Sequence, residues 1–109
     1  MALTLPESDW KYLKRIKDEL LADLCRRINE KAVRIVQRPG LTEHEKYQKL
    51  YRHIEDSDKI VANCFDDWRH SNLWLKVVCL RKHKLLSDDH LKSLSGELRD
   101  RLELLNPQA

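Results

Sequence analysis

The chain has 109 residues, of which 41% are hydrophobic and 36% charged, with a formal net charge of +3. That length suits one domain around one core, and the mix is too apolar for a disordered chain and too polar for a membrane protein. No apolar run approaches the roughly 20 residues that span a bilayer, since the longest, residues 73–80, is interrupted by Lys76.

Thr4 and Glu7 have the spacing of a capping box, with Pro6 in the first turn and Ser8 as a competing cap. They predict a first helix over about 7–37, with Trp10, Leu13, Ile16, Leu20, Leu24, Ile28, Ala32 and Ile35 on one side. Pro39 and Gly40 stop it, because proline breaks the backbone ladder and glycine supplies the turn.

Thr42 and Glu45 repeat the box spacing and start a second helix over about 43–70. Tyr47, Leu50, Tyr51, Ile54, Val61, Cys64, Phe65 and Trp68 fall in phase along it. Asp56-Ser57-Asp58 interrupts that stripe, and the matching apolar phase on both sides favours one continuous helix over two.

Ser71 is the candidate cap of a third helix over about 72–86, apolar on most sides and therefore expected to be central. Ser87 caps a fourth over about 88–105, where Leu91, Leu94, Leu98, Leu102 and Leu105 recur at helical spacing and Ser95-Gly96 is a candidate kink or split. The expectation is an all-α, antiparallel bundle of about four helices, two long and two shorter. A long hairpin with a short one folded against part of it leaves some of the long apolar stripe uncovered.

Charge alternates in sign along these helices. Residues 1–40 carry nine basic and six acidic side chains, 41–70 five and seven, 71–86 four and none, and 87–109 three and five. Oppositely charged neighbours explain this layout without any partner.

Few motifs carry chemistry. Gly40 and Gly96 are the two glycines, so there is no G-x-G-x-x-G and no Walker loop, and G-x-S-x-G, H-E-x-x-H and C-x-x-C are absent as well. Cys25, Cys64 and Cys79 are widely spaced and odd in number, which predicts reduced thiols packed as small hydrophobes. No metal or cofactor is expected. Asp67 and His70 have the spacing of half a carboxylate-bridged metal motif, with an Asp in place of the Glu. Asp66, Asp67, Arg69 and His70, or His53 with Asp56 and Asp58, would suit proton transfer if they lined a cleft. Ordinary surface pairing explains both groups, so no enzyme is expected.

Arg27, Lys31, Arg34 and Arg38 form a basic stripe along the end of the first helix, and Arg81, Lys82 and Lys84 form a second patch. Together they are candidate phosphate contacts for RNA. Cations near helix C-termini also complement the macrodipole, which needs no ligand. Trp10, Tyr47 and Tyr51 are candidate anchors of a protein interface.

The reading that results is a small soluble module for protein interaction, with a second copy of the chain as one candidate partner. The alternative is an RNA-binding or nucleoprotein subunit working through the basic face. The first ten residues lack the basic and apolar segments of a secretory leader, so a cytoplasmic location is expected, with no membrane partner.

Overall fold

A computed structural model describes residues 5–105 and is all-α, with no strand among the described residues. Helix α1 spans Glu7–Val36 and α2 spans Glu43–Phe65, and together they form a long hairpin. A 3-10 turn at His70–Asn72 leads into α3 (Leu73–Lys82), followed by a short α4 (Asp88–Lys92) and α5 (Gly96–Leu105). The molecule measures 51 × 29 × 24 Å, its long dimension close to the roughly 45 Å of a 30-residue helix.

Thr4 lies outside the described residues. The N-cap of α1 is Pro6, with no side-chain cap, so Ser8 does not cap it either. Thr42 does cap α2: its hydroxyl accepts from the Glu45 N–H at 3.1 Å, and the Glu45 carboxylate accepts from the Thr42 N–H at 3.0 Å. That backbone donor holds the Glu45 pKa below the ordinary glutamate range. Between the two helices Gly40 takes φ +84°, a left-handed geometry that glycine adopts without a Cβ penalty. Helix α2 runs unbroken through Asp56-Ser57-Asp58.

The second helix ends at Phe65, not near residue 70. Asp67 adopts φ +55° and turns the chain back, and the Trp68 indole N–H then donates to the Cys64 carbonyl at 2.7 Å. The Lys76 ammonium donates to the Asn63 carbonyl at 2.8 Å. Two carbonyls orphaned at the helix end are thus satisfied by side chains. Ser71 does not cap α3; Asn72 is its N-cap.

Helix α3 is also shorter than its apolar run. It closes in a Schellman motif: the Leu85 N–H reaches the Leu80 carbonyl at 2.9 Å, and the Lys84 N–H reaches Arg81 at 3.0 Å. The left-handed residue is Lys84, φ +59°, where glycine is usual. Leu85 and Leu86 leave the helix and are buried beyond it.

The leucine-rich fourth segment is two helices. The Ser95 hydroxyl accepts from the Leu98 N–H at 3.2 Å, so Ser95 caps α5. Asp9, 1% exposed, accepts from the Ser95 N–H at 2.8 Å and from its hydroxyl at 2.6 Å. Those bonds pin the chain where one helix would otherwise continue.

Leu13, Leu20, Leu73, Val77, Leu80, Leu86 and Leu98 are the most deeply buried large apolar side chains. Val77 and Leu80 are sealed completely, yet Leu75 on the same helix is 67% exposed, so α3 is central on one side only. The core draws on α1 as far as Leu24 and on α2 from Ser57 onward. Between those two positions no residue is buried. Residues 25–56 therefore form a two-helix arm beyond a base built from all five helices.

Candidate functional sites: the hairpin arm and the cysteine junction

An isolated hairpin has only one partner helix for each apolar stripe, so part of each stripe faces water. On the arm this leaves Val33, Val36, Tyr47, Tyr51 and Ile54 exposed. Tyr47 and Tyr51, one turn apart on α2, are 64% and 57% exposed, with ring centroids 6.4 Å apart. They border an open groove of about 730 Å³ between the ends of the two helices. Lys31, Arg38, Lys49 and Arg52 line it, but so do Glu45, Glu55 and Asp56.

The basic stripe does not act as one unit. The Arg27 guanidinium turns to the base, donating to the carbonyls of His83 at 3.0 Å and Lys84 at 2.9 Å and to Asp23 at 2.7 Å. It therefore covers the carbonyl end of α3. Arg26 is held by Asp23 and Glu30. Lys31, Arg34 and Arg38 make no ion pair among the described residues, and all three are exposed.

The second patch divides similarly. Arg81 donates to the Leu86 carbonyl at 2.6 Å and to Asp88 at 2.9 Å, fixing the connection to α4. Lys82 and Lys84 remain exposed. Trp10 lies at the other end of α1 from the arm. Its half-buried ring stacks on His70 with centroids 4.0 Å apart, and Lys14 lies over it.

The groups considered for proton transfer do not converge. Asp67 pairs with Arg69, and His70 faces Glu7. The His53 ring contacts the Ile28 carbonyl at 2.9 Å and the Ser57 hydroxyl at 3.3 Å, a link between the two long helices.

The expectation of three separate reduced thiols is corrected. Cys64 and Cys79 are joined by a disulfide, with Cα atoms 5.5 Å apart, and Cys25 is free and exposed. The turn at Asp67 and the 3-10 segment bring the end of α2 against the middle of α3. Fifteen residues of separation therefore become direct contact. His83, one turn beyond Cys79, joins the pair: one of its ring nitrogens and the two sulfurs all lie within 4.8 Å of one another. A spacing of C-x14-C-x3-H gives no sequence signal short of the fold itself.

The chain matches no protein-family model, and comparison with curated proteins and with solved structures finds no significant match. No helix among the described residues is long and apolar enough to cross a membrane.

Proposed function

We propose that this protein is a helical protein-interaction module whose binding element is the arm at residues 25–56. The observation that carries the reading is the absence of any buried residue in that segment, together with its exposed Val33, Val36, Tyr47, Tyr51 and Ile54. Tyrosines that expose much of their rings are typical interface anchors, because they bury large area with few rotatable bonds. Two helices with apolar stripes complete a four-helix bundle when a second hairpin docks on them, so a second copy of the chain is the occupant to test first.

The experiment is sedimentation equilibrium across a concentration series, comparing wild type with Tyr47→Glu/Tyr51→Glu. Concentration-dependent association lost in the variant supports self-pairing. A strict monomer that captures the same protein through Tyr47 and Tyr51 after nuclease treatment supports a different protein partner. A monomer that captures no protein through those tyrosines overturns the reading.

A second reading, single-stranded RNA on the same groove, is favoured by the tyrosine pair beside Lys31, Arg38, Lys49 and Arg52, since bases stack on aromatic rings and phosphates pair with cations. It weighs less, because three carboxylates share the groove and Arg27 is committed to the base. Binding of a generic single strand that weakens steeply with salt would favour it.

A further inference from the structure

We propose that, when reduced, Cys64, Cys79 and His83 form a three-ligand site for a thiophilic divalent cation, zinc above all. The three donors come from two elements that the fold holds firmly. Cys64 is in the last turn of α2 and fully buried, while Cys79 and His83 lie four residues apart along α3 and its cap, on one face. Their ligand atoms already converge within 4.8 Å. Tetrahedral zinc with Zn–S bonds of about 2.3 Å sets two sulfurs roughly 3.8 Å apart. Side-chain rotation reaches that spacing once the sulfur–sulfur bond is open.

A disulfide alone has no need of the imidazole. His53, His70 and His90 each have a partner for the ring: a carbonyl, a carboxylate or a hydroxyl. The His83 ring makes no hydrogen bond among the described residues, and its half-buried setting leaves it free to coordinate. Its backbone is fixed by the Schellman closure of α3 and by Arg27 on its carbonyl. Such outer contacts orient a metal ligand.

Thiolate and imidazole donors select zinc over magnesium or calcium, which take oxygen. Two thiolates and a neutral imidazole balance a divalent ion, so the filled site is neutral, as a half-buried position favours. Three protein ligands leave a fourth position for water.

The disulfide and the metal are alternative states of one site. An external dithiol supplies two electrons and two protons, becoming a disulfide itself. The Cys64–Cys79 bond breaks and two thiols form. The metal then displaces both protons. In reverse, an external disulfide takes two electrons from the thiolates and two protons from water, becoming two thiols, while the Cys64–Cys79 bond reforms and the ion is expelled.

Cobalt(II) is the probe, titrated into the full chain after reduction with a phosphine. One cobalt per chain is expected, with thiolate-to-cobalt charge-transfer absorption and the visible bands of a tetrahedral ion, both removed by added zinc. Oxidised protein should give neither. His83→Gln, at a half-buried position, should keep the helical circular dichroism and raise the half-saturating concentration about tenfold or more. If reduction alone unfolds the chain, zinc should restore its helical signal. The proposal is overturned if folded, reduced protein gives no tetrahedral spectrum, if His83→Gln titrates like wild type, or if zinc fails to restore a chain that reduction has unfolded.

Discussion

Asp9 and Ser95, 86 residues apart in sequence, are joined by two hydrogen bonds in which one buried carboxylate receives both donors of the serine. The contact places a negative charge at the N-terminus of α5, where the helix dipole favours it. It also ties the first turn of α1 to the start of α5. Asp9→Ala strands the Ser95 N–H and hydroxyl away from water. With hydrogen bonds to charged groups contributing about 1.5–3 kcal/mol each, the expected loss is about 3 kcal/mol by urea denaturation. Ser95→Ala keeps the N–H bond to Asp9 but loses both the hydroxyl bond and the cap on Leu98, so a loss of similar size is expected. Equal stability of Asp9→Ala and wild type would show the link to be dispensable.

Arg27 and Arg34 belong to one stripe in the sequence but do different work. Arg27→Ala removes the donors that cover the His83 and Lys84 carbonyls, and about 1 kcal/mol of stability should go with them. Arg34→Ala, on an exposed face, should stay within about 0.5 kcal/mol of wild type. Chemical denaturation of both variants checks this, and the reverse order would restore the stripe as a single unit.

Lys84 occupies the left-handed position of the Schellman closure. A side chain there costs roughly 1–2 kcal/mol relative to an ordinary helical geometry. Lys84→Gly relieves that strain, although glycine gives some of the gain back through the freedom of the unfolded chain. The net expectation is a stabilisation of up to about 1 kcal/mol, with Lys84→Ala close to neutral because it keeps the Cβ. Thermal unfolding of the pair separates backbone relief from loss of charge.

Glu45 completes the cap of α2 as a carboxylate, and its pKa is lowered chiefly by the Thr42 N–H. A depressed carboxylate contributes stability that is present above its unfolded-state value and lost as pH falls through its folded-state value. The start of α2 should therefore hold at neutral pH and loosen under acid. A carbon-detected titration of the Glu45 carboxyl should give a midpoint below the ordinary glutamate range, with only part of that depression lost in Thr42→Ala, which removes the hydroxyl but keeps the backbone N–H. A normal midpoint in wild type would remove the cap from the account.

Much of the helical layout was legible in the residues. The periodicity of α1 and α2, the turn at Pro39-Gly40 and the box at Thr42 and Glu45 are local signals, and local geometry obeys them. The departures come from contacts that join distant segments. Helix α2 ends early because Trp68 folds back onto Cys64, whereas at Ser95-Gly96, already a candidate kink or split, the bonds from Ser95 to Asp9 select the split. Lys84, with no glycine to announce it, closes α3 ahead of Leu85 and Leu86. The candidate sites follow the same rule. Tyr47 and Tyr51 stay exposed because nothing from the base reaches them. Arg27 is withdrawn from the stripe by carbonyls 56 and 57 residues away, and the cysteine pair depends on a turn that spacing does not encode.

The arm has a consequence for how this molecule can vary. The core ends at Leu24 and resumes at Ser57, so, apart from Arg27, Ile28 and His53, which reach the base, substitutions between them touch no fully buried side chain. Surface changes of that kind are usually worth less than about 0.5 kcal/mol. The bend at Pro39-Gly40 lies at the far tip, where added residues lengthen the hairpin without displacing a buried side chain. The fold thus divides its sequence into a part that must be kept and a part free to diverge, and the second part is the one that faces the surroundings.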